Sequence, residues 1–168
     1  MKQLYISTLL VLFSLVASAQ STDWQTKEDY LRDTAQVAQT IRWLEQNPFP
    51  EPFSERQQKA QYAFKWIEGA PYTVNIDATF LQPILEDKKF AYKDMMVPQF
   101  VFGKGLYLIQ HNGDKNEYEA NLRGVQSMVT LYKHIKATDK RAKNKLLEKM
   151  EAAADQDKLP AYVRSQMK

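Results

Sequence analysis

The sequence predicts an all-α protein: an irregular bundle of five to six helices after a cleaved signal peptide. Three observations carry that prediction. Apolar residues recur at three- and four-residue steps along most of the chain. Polar residues with helix-capping chemistry stand at the heads of several of these stripes. Only residues 72–80 (YTVNIDATF) show the alternation and β-branching of a strand, and a lone strand has nothing to pair with.

The N-terminus sets the expected compartment. Lys2 supplies a positive charge, residues 4–16 (LYISTLLVLFSLV) form an uncharged apolar stretch, and Ala17-Ser18-Ala19 offers the small residues of a cleavage site. Residues 1–19 therefore read as a signal peptide and residues 20–168 as a single helical domain beginning at Gln20. The apolar stretch is shorter than the ~20 residues that span a bilayer. Gln20 stands where a lipoprotein needs cysteine, and the chain has no cysteine at all. Disulfides and thiolate chemistry are thereby excluded, and the fold holds by packing alone. The expected location is periplasmic or extracellular.

The formal charge of +3 falls to +2 once Lys2 is removed, and it is unevenly spread. Residues 21–100 carry 9 Lys/Arg against 12 Asp/Glu, whereas residues 101–168 carry 13 against 8. The C-terminal part thus favours an anionic partner such as a lipid headgroup or acidic glycan.

The first helix is expected over residues 23–46, with Tyr30, Thr34, Val37, Ile41 and Leu44 in one row, acids crowding its start and Asn47-Pro48 ending it. Pro48, Pro50 and Pro52 make a stiff connector carrying Phe49 and Phe53. Ser54 with Gln57 has the spacing of a capping box, so a second helix starts there and stops at Gly69 and Pro71. A short helix is expected from about Asp77 towards Lys88, shortened, kinked or started by Pro83. Residues 91–111 are the most apolar stretch after the leader and belong at the centre, with a kink or break at Pro98 and close helix approach at Gly103 and Gly105. Asn116 with Glu119 caps the next helix, whose stripe runs Tyr118, Leu122, Val125, Val129, Tyr132, Ile135. A final helix from Thr138 or Asp139 to about Ala154 carries the stripe Ala142, Leu146, Met150, Ala153. A last short turn at Pro160 is docked by Tyr162 and Val163.

Reactive chemistry finds little support. Only His111 and His134 are available, with no His-Glu-x-x-His array and no Glu-x-x-His pair, so neither metal nor cofactor is expected. Residues 112–119 (NGDKNEYE) imitate the start of a calcium loop, yet Glu117 and Arg123 stand at its sixth and twelfth positions, where glycine and an acid are needed. No Gly-x-Ser-x-Gly elbow occurs, and Ser127 lies two helical turns from His134, about 10 Å along the axis. A glycosidase pair of acids is not singled out.

Two groups of residues remain as candidate contact sites. Lys133, Lys136, Lys140, Arg141, Lys143, Lys145 and Lys149 form the densest basic run, suited to weak association with an anionic surface. They lack interleaved aromatics, so nucleic acid is not an expected partner. Tyr62, Trp66, Phe100, Tyr107 and Tyr132 are the candidates for an apolar pocket between helices. The function that follows is an exported, non-enzymatic module that binds a protein or envelope component. The alternatives are a small secreted hydrolase acting on an envelope or dietary polymer, and a carrier of an apolar ligand. The intact mass of the protein recovered from outside the cytoplasm should correspond to a chain beginning at Gln20; a mass retaining Met1 overturns the leader assignment.

Overall fold

The computed structural model describes residues 23–72, 74, 75 and 79–167. The signal-peptide assignment lies outside these residues. Among them there are eight α-helices and no strand: α1 (Lys27–Arg32), α2 (Thr34–Gln46), α3 (Phe53–Gly69), α4 (Gln82–Leu85), α5 (Lys93–Gln110), α6 (Glu117–Thr138), α7 (Lys145–Asp155) and α8 (Leu159–Gln166). A 3₁₀ turn (Thr79–Leu81) leads into α4. The helix class is as expected, but the count of five to six is too low, because one expected helix is divided and the expected last turn at Pro160 is a helix in its own right.

The division falls at Asp33. Thr26 starts α1 with a capping box in which its hydroxyl accepts from the Asp29 N–H and the Asp29 carboxylate accepts from the Thr26 N–H. Bonds from the Thr26 backbone, the Thr26 hydroxyl, the Gln25 backbone and Arg32 hold the Asp29 carboxyl down to about 2. Asp33 turns its carboxylate to the Trp24 indole N–H at 2.7 Å and interrupts the helix. α1 buries no residue of its own; it is held by the contacting rings of Trp24, Tyr30, Tyr62 and Trp66 and by the Trp66 indole N–H donating to the Tyr30 carbonyl.

Helix α3 begins at Phe53, one residue before the expected cap, with Pro52 in the cap position and no side-chain capping bond. Ser54 therefore lies in the first turn, and the Ser54–Gln57 capping box does not form. Arg56 supplies a different fastening: its buried guanidinium donates to the carbonyls of Leu44 and Asn47, both at 2.7 Å, and closes the end of α2. Burial pushes it down to about 10, which leaves it charged at neutral pH.

Helix α5 runs unbroken through Pro98, its sixth residue; the bond that Pro98 cannot give leaves the carbonyl of the exposed Asp94 to solvent. From Phe100 to Leu108 every residue of α5 is buried, as its all-round apolarity requires. A six-residue turn then reverses the chain into α6. Asn112 takes a left-handed backbone and the Gly113 N–H bonds the Leu108 carbonyl, a Schellman closure, while the Asn116 side chain accepts from the Glu119 N–H as expected. The hairpin is antiparallel: Gln99 bonds Ser127, Gly103 touches Gly124, and Lys104 bonds Asn121.

The final expected helix starts later than its stripe suggests. Residues 139–144 are non-helical, because Asp139 folds back to accept from the Arg141 backbone and Asn144 caps α7 by accepting from the amides of Leu146 and Leu147. The buried face of α7 is consequently Leu147 and Met150; Ala142 is buried in the preceding loop and Leu146 is only partly covered. Helix α8 has Pro160 in its first turn and buries Leu159 and Val163.

Glycine sets the distance between α5 and α6. A Cβ at Gly103 would lie 2.6 Å from the Ser127 Cβ, 2.7 Å from the Arg123 carbonyl oxygen and 2.8 Å from the Gly124 Cα. Backbone atoms cannot give way as a side chain can. A Cβ at Gly105 would meet only the flexible end of Ile67, at 2.9 Å. Gly103→Ala should therefore destabilise by about 1–3 kcal/mol through overpacking, whereas Gly105→Ala, helped by better helix propensity, should stay within about 1 kcal/mol of the parent. Urea denaturation midpoints of the two variants check the ordering.

Candidate functional site

Lys104 is the largest departure from apolarity on α5. Its side chain is 1% exposed, yet its ammonium finds three acceptors: the Asn75 carbonyl, the Glu117 carboxylate and the Asn121 amide oxygen, the last at 2.8 Å. An ammonium has three donors, so the group is saturated. Glu117 and Asn121 present themselves together because they are one turn apart on the first turns of α6. The Asn121 amide nitrogen in turn reaches the Met167 sulfur. One buried cation thus gathers α5, α6, residue 75 and the C-terminal end of the described chain.

Two clefts flank this cluster. One, of about 210 Å³, sets the buried Leu108 and Ala120 against the exposed Asp114 and Lys115. The other, of about 480 Å³, lies among Thr79, Phe80, Gln166 and Met167. Asp114 accepts from the Tyr107 hydroxyl at 2.6 Å, and this bond is the main reason the phenol is pushed up to about 12. His111 stacks on the Tyr107 ring at 4.2 Å and its Nδ1 faces the Tyr107 carbonyl. The polar residues that imitate a calcium loop have other partners: Asn112 turns the backbone, Asp114 holds Tyr107 and Asn116 caps α6. Among the described residues no group of three or more His, Asp or Glu is placed to hold a metal ion. None of their helices is long and apolar enough to cross a membrane.

The basic run divides into two sets. Lys133 pairs with Asp155 at 2.5 Å, Lys136 with Glu151 at 2.6 Å and Arg141 with Asp139 at 3.1 Å. Lys140, Lys143, Lys145 and Lys149 are exposed and have no carboxylate partner among the described residues. Arg141, Lys143, Lys145 and Glu148 border a groove of about 680 Å³ whose opposite wall is formed by Pro83, Glu86, Asp87 and Lys89, residues far away in sequence.

The five aromatic candidates are dispersed. Tyr62, Trp66, Phe100 and Tyr132 belong to the main core, each against a different ring: Trp24, Tyr30, Phe80 and Phe90 respectively. Tyr107 sits apart with Leu108 and Ala120. None of the five is in ring contact with another among the described residues. Ser127 is buried against Gln99, and His134 is exposed on α6.

Sequence reasoning missed the Lys104 cluster. Its signals were a lysine within the most apolar stretch and a Glu/Asn pair four residues apart at the head of the next helix. Comparison with protein-family models, curated proteins and solved structures finds no match to this chain in any of the three, so function is read from the geometry.

The cluster is asymmetric. The Glu117 side chain is 40% exposed and its partner almost fully buried. Removing Glu117 strands a buried charge, whereas removing Lys104 leaves an acid that water reaches. Glu117→Ala should cost about 3 kcal/mol, and Lys104→Met clearly less, about 1 kcal/mol. Equal or reversed losses in denaturant midpoint overturn this account.

Proposed function

We propose that this chain is an exported binding module that recognises a protein or envelope component through surface grooves, without turnover. The observation that carries the reading is the use made of its buried charge. Among the described residues, Lys104, Arg56 and Glu45 are the buried charged side chains. Each is committed to the fold: Lys104 to its three acceptors, Arg56 to two carbonyls, and Glu45 to Arg123 at 2.6 Å. Lys104 lines a cleft together with Glu117, but its donors are all taken, whereas an active site keeps polar groups free to meet a substrate. The groups available for recognition here are exposed ones, arranged around grooves.

The proposed export rests on the apolar leader at residues 4–16 and the small residues that follow it. Envelope association rests on the unpaired lysines of residues 140–149. In cells that make the protein, it should fractionate with the envelope and be released by a wash of about 0.5 M salt, since screening shortens the reach of surface charge. Turnover of a peptide, ester or glycan substrate that is lost in His111→Ala or His134→Ala overturns the non-enzymatic reading.

A further inference from the structure

We propose that the groove between residues 83–89 and residues 141–148 is the contact surface for an extended polyanionic glycan. The inference rests on the binding-module reading and names the partner class and the site.

Charge is concentrated at this end of the molecule. Residues 86–89 and 139–149 together carry seven Lys/Arg and four Asp/Glu, a net of +3. Residues 23–167 as a whole carry 21 against 20, a net of +1, so the remainder is negative. Three of the four acids within the patch are hydrogen-bonded; the fourth, Glu148, is exposed, lines the groove and makes no ion pair among the described residues, so the groove is positive only by the excess of its cations. Asp87 accepts from the Asn144 amide at 2.9 Å and the Lys89 backbone at 3.0 Å, and Asp139 accepts from Arg141 and the Tyr92 hydroxyl. Glu86 accepts from Gln82. By contrast, Lys88, Lys89, Lys140, Lys143, Lys145 and Lys149 are exposed and make no ion pair among the described residues. An array of unpaired lysines around a concavity raises the local concentration of a polyanion.

The groove is also built rigidly. Asn144 is 4% exposed and links the two walls: its side chain caps α7 and donates to Asp87 across the groove. Its backbone N–H donates to the Tyr132 hydroxyl, which itself donates to the Ala142 carbonyl, and Tyr132 is fully buried. Lys89 on one wall and Lys143 and Lys145 on the other are therefore held at fixed separation in their backbones. Each ammonium remains free on its flexible stem. Pro83 and Leu146 add apolar surface to the lining, which suits the faces of sugar rings. A concave site with cations on both walls matches a strand lying between them. A flat bilayer would touch only the rims.

The test uses the full mature chain with three probes: heparin for sulfated glycans, polygalacturonate for carboxylated ones, and phosphatidylglycerol vesicles. At about 50 mM salt, where screening is weak, the protein should bind at least one of the two glycans, and about 500 mM should release it. Lys89→Gln/Lys143→Gln/Lys145→Gln should weaken that binding at least about tenfold. A matched triple that removes the same charge elsewhere, Lys27→Gln/Arg42→Gln/Lys65→Gln, should change it less than about twofold. Equal losses in both triples, no binding to either glycan, or groove-dependent binding to the vesicles alone each overturn the proposal. Failure here with salt-releasable envelope association intact sinks the groove and spares the binding-module reading; substrate turnover sinks that reading itself.

Discussion

The contact between Gly103 of α5 and Gly124 of α6 is the constraint on which the remaining architecture depends. Without side chains at these two positions the helices approach until backbone meets backbone. Around that point Gln99 reaches Ser127 at 2.8 Å and Lys104 reaches Asn121 at the same distance. Polar side chains of ordinary length bond across such an interface only when it is close. The other large helices are arranged on this hairpin: α2 and α3 pack on one part of it, α7 on the far half of α6, and α8 near the start of α6, where the Tyr118 hydroxyl donates to the Pro160 carbonyl. Phe100 fills the space beside Gly124, with its ring edge-on to Phe80, so the same close approach also seats the segment that leads into α4.

Buried charge acts here as a fastener between elements that hydrophobic contact alone would leave free to slide. Arg56 ties the end of α2 to α3, Glu45 and Arg123 tie α2 to α6, and Lys104 ties residue 75 and α6 to α5. Each pairing carries a desolvation cost that only good geometry offsets, and in return it fixes register. With no cysteine in the chain, these polar ties do part of the cross-linking that disulfides perform in disulfide-bonded proteins. The basic groove depends on a separate polar tie, in which the buried Tyr132 hydroxyl accepts from the Asn144 N–H and the Asn144 side chain donates to Asp87.

Much of the helical content was legible in the sequence, because a stripe at helical spacing reports which face is buried whatever it is buried against. The central placement of α5, the close approach at Gly103, the cap at Asn116 and the docking of Val163 all follow from local pattern. The errors have local physical causes as well. Asp33 breaks the first helix because Trp24, nine residues earlier, claims its carboxylate. Ser54 does not cap because the chain is already helical at Phe53. Residues 139–144 stay out of the helix because Asp139, Tyr132 and Asn144 use their polar groups to hold a loop. At Asp33 and at residues 139–144 a hydrogen bond to a partner outside the local window competes with the helix, whereas at Ser54 the helix starts one residue earlier than the cap pattern suggests.

The sequence by itself determined the helical class, the turn positions and the uneven distribution of charge, since all of these are properties of neighbours along the chain. It determined as well that no thiol takes part. Only the tertiary structure decided which charges are free and which are spent. Lys133 and Lys149 are alike as residues in a basic run, but one meets Asp155 twenty-two positions away and the other meets no acid among the described residues. Lys104, which composition marks as one more lysine, is the most buried cation among the described residues because two helices and the Asn75 carbonyl converge on it. Electrostatic roles depend on distance in space, and a linear pattern does not encode that distance until the chain has folded.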